Sequence, residues 1–143
     1  LACIREASQE AQLIAIHDGA RPFVTQKVLE GVIRKAAECG AAAPAIPVTD
    51  TIKRSRDGVV EETLDRAALY AVQTPQVFEA TVIKAALQKA AEDGLSLTDD
   101  CAAVERLGMT VFLTPGDSTN LKLTTPGDLD LGLGILQGRE ELL

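Results

Sequence analysis

The sequence predicts an α/β fold built on a mostly parallel sheet, and three observations carry that expectation. Short apolar runs suited to buried strands recur along the chain, stretches of helical periodicity of about 10–15 residues alternate with them, and Gly or Pro marks most junctions. One stretch, 49–65, breaks the rhythm with a polar hairpin pattern.

In order, the opening LACIREASQEAQ reads as the tail of a helix or a loop running into a strand. LIAIHD at 13–18 is an apolar run that stops at a charge, as a strand buried on both faces does. Gly19-Ala20-Arg21-Pro22 ends it. Thr25 is placed to cap a helix whose Val28, Leu29, Val32, Ile33 and Ala36 fall on one face, and Gly40 closes it. Residues 41–48 read as another buried strand, with Pro44 and Pro47 restricting it to an edge or a bulge.

Residues 49–65 carry the turn signal Arg56-Asp57-Gly58 between two largely polar arms. So little apolar surface cannot make a core element, so the region from about 47 to 68 is expected to project as an arm onto a partner subunit. YAVQTPQVF at 70–78 reads as extended with a bend at Pro75. Ala80–Ala91 has helical spacing, Thr98 is placed to cap a further helix through Leu107, and short strands are expected at 110–113 and 121–123. Thr125-Pro126-Gly127-Asp128 opens a last helix with an N-cap, a first-position Pro and an Asp in the first turn.

Composition narrows the function. The 143 residues fit one domain, with net charge −7, no Trp, one Tyr and three Phe. So acidic a surface with so few aromatic rings is unsuited to nucleic acid or anionic lipid, and no apolar run reaches the roughly 20 residues of a membrane span. An anionic ligand must therefore be held by a few placed cations. Cys3, Cys39 and Cys101 are too scattered for a disulfide framework or a metal knuckle and read as free thiols of a reducing compartment. A single His excludes a His-rich metal site.

Ligands of open α/β sheets bind beyond the carboxyl ends of strands, which singles out Asp18. Together with Arg21 it forms either a pair that holds a metal ion and a phosphate or a structural pair that fixes the turn. His17 reads as a packed strand residue rather than a ligand. Thr51 and Arg66 belong either to a solvated arm or to a phosphate site, and Lys122 is either a surface lysine or a strand-end cation. Thr74-Pro75-Gln76 has simple turn chemistry, and Asp99 and Asp100 suit the start of a helix dipole.

The order of these segments says more than any one of them. HDGARPFV at 17–24, PVTDTIKRS at 47–55, TLDRAALYAVQTPQVF at 63–78, LTDDCAAVE at 97–105 and NLKLTTPGDL at 120–129 follow one another as in 2-C-methyl-D-erythritol 4-phosphate cytidylyltransferases. The chain resembles that family from about residue 13 to residue 136. The resemblance implies a Rossmann-like nucleotidyltransferase that joins CTP to methylerythritol phosphate with Mg²⁺, releasing pyrophosphate, in the non-mevalonate route to isoprenoids. It implies a homodimer whose β-arms embrace, and a cytoplasmic location, a plastid remaining compatible.

By motif, Asp18 resembles the acidic residue near metal and substrate. Arg21, Thr51, Thr74 and Thr98 resemble the methylerythritol-phosphate contacts, with Thr51 supplied by the partner's arm. Arg66 and Lys122 match the two cations that position the substrate phosphate for attack. Such chemistry needs no side-chain nucleophile, only alignment of two polyanions and neutralisation of growing charge. The family's Gly-rich phosphate loop and its cytosine-reading segment do not occur in these residues. The chain is therefore expected to be the carboxy-terminal part of the enzyme and inactive alone. Two other readings compete: a ribitol-5-phosphate cytidylyltransferase, against which Lys53 and Thr63-Leu64-Asp65-Arg66 speak, and a non-catalytic dimerisation domain, against which the four charged site residues speak.

Overall fold

The computed structural model describes residues 4, 6–8 and 10–140, apart from the side chain of Glu140. Cys3 and part of the opening segment lie outside the described residues. Strands β1 (Leu13–Ile16), β2 (Ala41–Pro47), β5 (Tyr70–Val72), β6 (Gln76–Glu79) and β7 (Phe112–Pro115) form the main sheet, and β3 (Lys53–Arg56) with β4 (Val59–Thr63) forms a separate hairpin. Helices α1 (Gln26–Cys39), α2 (Ala80–Glu92), α3 (Asp100–Arg106) and α4 (Pro126–Glu140) follow in chain order, with a 3-10 turn at Arg66–Ala68.

The layers follow from side-chain alternation along the strands. Ala42 and Val77 face one side and meet Val32 and Ala36 of α1. Ala41, Ala43 and Phe78 face the other and meet Ile83 and Ala86 of α2 and Cys101, Ala103 and Val104 of α3. The run of alanines in β2 lets helices approach closely from both faces, and the larger Phe78, Ile83 and Val104 fill the volume left over. Helix α1 begins where Thr25 accepts from the Val28 N–H and ends at Gly40, whose φ of 87° suits glycine and whose N–H bonds the Ala36 carbonyl.

The α/β class is as the sequence predicts, but the sheet is more mixed than mostly parallel. β2 pairs β7 in parallel, whereas β1–β6, β2–β6 and β2–β5 are antiparallel. β1, β2 and β7 thus share a direction, and β5 and β6 run against them. β5 and β6 are successive parts of one line, interrupted at the cis Thr74–Pro75 bond. Pro44 is consequently not at an edge. It is fully buried in the central strand, opposite that interruption, where pairing stops at Ala42 and resumes at Ala45. The Pro44 carbonyl still accepts there, from the Gln73 N–H at 2.8 Å.

Two further expectations need correction. The cap of α3 is Asp99, not Thr98: the Asp99 carboxylate accepts from the Ala102 N–H at 2.9 Å. Residues 121–123 form no strand, because the segment makes one bond to its neighbour, Leu123 N–H to the Ala20 carbonyl at 2.8 Å, and no ladder. Helix α4 opens as expected, with Asp128 accepting from the N–H groups of Thr124 and Thr125, each at 2.7 Å.

The hairpin is fully exposed along both strands. Asp57 (φ 51°) and Gly58 (φ 80°) give the paired positive φ values of a tight hairpin turn. Cross-strand contacts are polar: Lys53 donates to Thr63 at 2.6 Å, and Arg54–Glu62 and Arg56–Glu61 pair at 2.9 and 2.8 Å. Exposed pairs of this kind add little stability each. No helix among the described residues is long and apolar enough to cross a membrane.

Candidate active site

Because β1 and β6 are antiparallel, with Ile16 opposite Gln76, the end of one meets the beginning of the other. His17 and Asp18 therefore lie beside Thr74. The Asp18 N–H donates to Thr74 Oγ1 at 3.0 Å, and Thr74 Oγ1 lies 2.9 Å from His17 Nδ1. The turn that follows brings Arg21 back, with Nε 3.6 Å from Asp18 Oδ2 and Nη1 donating to the Asn120 carbonyl at 2.7 Å.

Asn120 is the hub that sequence reasoning missed. It is fully buried, and its amide donates to the Thr74 carbonyl at 2.9 Å and to Gln73 Oε1 at 3.4 Å. Gln73 in turn donates to the Asp117 carbonyl and accepts from the Asp117 N–H, at 2.8 and 3.2 Å. A buried polar group is costly unless bonded, so this set holds the 117–120 loop against the β5–β6 junction. Arg21 Nε and Asn120 Oδ1 are the buried polar side-chain atoms without a hydrogen-bond partner among the described residues. With Asn120 fixed, Lys122 reaches across, and its Nζ lies 2.9 Å from Asp18 Oδ2.

The electrostatics favour ionised Asp18. Its carboxyl is held below the ordinary carboxylate range, chiefly by the Lys122 hydrogen bond; partial burial opposes this, and the charges of Lys122 and Arg21 add to it. Asp18 and Lys122 remain 36% and 46% exposed. A pair so wet contributes little and is easily opened, so an incoming phosphate can take the lysine. Asp18 Oδ1 makes no ion pair or hydrogen bond among the described residues. Helix α3 points its start at the same place. Gln76 donates to Asp99 Oδ2 at 2.9 Å and accepts from the Cys101 N–H at 3.1 Å. Asp100 is close enough to feel Asp18, though its raised carboxyl owes most to burial and then to Asp99.

Asp18, Arg21, Thr74 and Lys122 are thus brought together. Thr98, exposed, immediately precedes the α3 cap on this side. Thr51 and Arg66 are not brought in by their own chain: Thr51 is exposed ahead of β3, and Arg66 donates to the Thr49 carbonyl at 2.6 Å at the base of the arm. His17 is not a packed strand residue. It is exposed just past β1, with both ring nitrogens engaged. A cavity of about 720 Å³ lies at the other end of β1 and is lined by Glu10, Glu38 and Glu79, with no Lys or Arg. Its acidic wall is unsuited to a phosphate. No group of three or more His, Cys, Asp or Glu side chains able to hold a metal ion occurs among the described residues.

Comparison with known proteins gives the family. The family model for 2-C-methyl-D-erythritol 4-phosphate cytidylyltransferase, IspD, matches residues 1–138. The enzyme of that name from Bacillus pumilus is 44% identical over 132 residues, covering 92% of this chain and 58% of the relative. The one from Syntrophus aciditrophicus is 45% identical over 141 residues, covering 98% and 59%. The crystal structure of the Thermus thermophilus enzyme superposes with a TM-score of 0.87 at 34% identity, covering 95% of this chain and 66% of that one. The chain therefore spans a little under three-fifths of the length of these curated relatives, 58% and 59%. By sequence and by fold alike, the chain belongs to the 2-C-methyl-D-erythritol 4-phosphate cytidylyltransferase family.

Proposed function

We propose that this chain supplies the methylerythritol-phosphate half of a cytidylyltransferase that joins CTP to 2-C-methyl-D-erythritol 4-phosphate. The observation that carries the reading is the Asp18–Lys122 pair, flanked by Arg21 and Thr74: two cations and an uncommitted carboxylate oxygen gathered beyond the end of β1. In the reaction a phosphate oxygen of the alditol attacks the α-phosphorus of CTP. The new P–O bond forms as the α–β phosphoanhydride bond breaks, and pyrophosphate leaves with the electron pair. Lys122 and Arg66 orient the attacking phosphate and offset the charge that grows in the transition state. Arg21, Thr74 and Thr98 hold the alditol phosphate.

Thr51 and Arg66 stand on the arm, away from the cluster of their own chain, which supports delivery of the arm to a second subunit. Val59 and Val60, 69% and 56% exposed, give that arm an apolar contact to bury. A homodimer completes the site in this reading. Mg²⁺ fits the donors at hand, because that ion is commonly bound by one or two carboxylates plus substrate phosphates, and Asp18 Oδ1 is free to contribute one. When bound, the ion would offset phosphate charge. Free thiols at Cys39 and Cys101 accord with a reducing, cytoplasmic setting.

The test is a chimera in which this chain replaces the matching segment of the Bacillus pumilus relative. Formation of 4-diphosphocytidyl-methylerythritol from CTP, well above formation of the ribitol 5-phosphate product, is the expected result. A preference for ribitol 5-phosphate, or no product from a folded chimera, contradicts the proposal.

A further inference from the structure

His17, the single histidine of the chain, has a hydrogen-bond partner at both ring nitrogens. Nε2 lies 3.0 Å from the Arg21 carbonyl oxygen, and Nδ1 lies 2.9 Å from Thr74 Oγ1. A carbonyl oxygen can only accept, so Nε2 carries a proton, and with one proton on the ring Nδ1 is left as an acceptor. The hydroxyl proton of Thr74 is then committed to Nδ1. The same oxygen already accepts from the Asp18 N–H at 3.0 Å. One donation and one acceptance are spent, and what Thr74 still offers to the site is a lone pair.

We propose that His17 is a positioning residue that makes Thr74 a hydrogen-bond acceptor toward the site, so that Thr74 selects a hydroxyl group of the substrate and not an ionised phosphate oxygen. The charged neighbours divide the work accordingly. Lys122 and Arg21 are donors suited to the phosphate, and Asp18 keeps Lys122 in place until a phosphate arrives. Thr74, lacking a free proton, is suited to the polyol. The identity of the ligand rests on the alditol-phosphate reading above, whereas the proton position on His17 does not.

Two measurements on the full chain separate these claims. Nitrogen-15 NMR of the lone imidazole, at pH 8, is expected to show a protonated Nε2 and an acceptor Nδ1, with the Nδ1 signal shifting in Thr74→Val. A proton on Nδ1, or averaged signals, overturns the proposal. Calorimetry then compares 2-C-methyl-D-erythritol 4-phosphate with inorganic phosphate. His17→Ala is expected to weaken the alditol phosphate about tenfold, the scale of one hydrogen bond, and to leave inorganic phosphate unchanged. His17→Asn, whose amide oxygen can accept near the Nδ1 position, is expected to recover part of the loss. Equal weakening of both ligands, or of neither, overturns the role. If the unsubstituted chain binds phosphate but not the alditol phosphate, the alditol reading falls and hydroxyl selection falls with it, while the NMR result stands by itself.

Discussion

Lys122 Nζ lies 2.9 Å from Asp18 Oδ2, joining the loop after β1 to the segment ahead of α4. The lysine is not placed by its own backbone ladder, since 121–123 form none. It is placed by Asn120, two residues earlier, whose buried amide is bonded to the β5–β6 junction. The chemistry of the site thus depends on a neutral polar residue that touches no substrate in this account.

Asn120→Ala should therefore cost both stability and ligand affinity. It leaves the part-buried Thr74 carbonyl and the buried Gln73 amide oxygen each short of a donor, a penalty of about 1–3 kcal/mol. Urea unfolding should show the loss, and calorimetry with methylerythritol phosphate should show weaker binding. An unchanged unfolding midpoint would contradict the hub.

Acid should weaken the fold through carboxyls held low in the folded state. Asp18 owes its depression first to Lys122, and Asp117 owes its own to the Thr119 N–H and then the Thr119 hydroxyl. Groups with depressed folded-state values contribute stability that is fully present above the unfolded value of roughly 3.9 and is lost as pH falls through the folded value. Between neutral pH and about pH 3, Asp117→Asn should lose less stability than the parent. Parallel acid profiles for the two would contradict this.

The Cys101 thiol is pushed up to about 12 by burial and then by the neighbouring acids Asp99, Glu105 and Asp100. It should resist iodoacetamide in the native protein at neutral pH, because the thiolate is the reactive form. Half-buried Cys39 should alkylate sooner, and both should react in urea. Peptide mass spectrometry reads the order, and early labelling of native Cys101 would contradict it.

Deleting the arm, residues 53–63, should leave the sheet and its helices folded, because the hairpin forms a sheet of its own. In the chimera it should shift sedimentation toward monomer and abolish turnover. A fully active monomer would remove the arm from the site.

The α/β class and the limits of α1 were legible because Thr25, Gly40 and the 3.6-residue spacing between them are local signals. Strand direction was not, because periodicity is the same for a strand and its reverse; the line of β5 and β6 runs against β2 for reasons of chain path alone. That Asp18, Arg21, Thr74 and Lys122 gather in one place was legible from motif order, and for Asp18 from its strand-end position; Lys122 ends no strand. Asn120 and Gln73 were missed because their partners lie far away in sequence, as with Asn120 and Thr74 at a separation of 46, and His17 was read as a packed strand residue because Thr74 lies 57 residues away. A usable signal did exist: the polar Gln73 and Gln76 sit within the strand-like YAVQTPQVF, and buried amides demand partners. Thr98 and Asp99 were equally plausible caps by residue type, and the register of α3 against Gln76 decides between them.

The most direct test neutralises Lys122. In the chimera carrying this chain, Lys122→Met should lower kcat for cytidylyl transfer to methylerythritol phosphate by about 10²–10³, the usual loss when a transition-state charge partner is removed. Undiminished kcat, with the variant folded as the parent, would contradict the account.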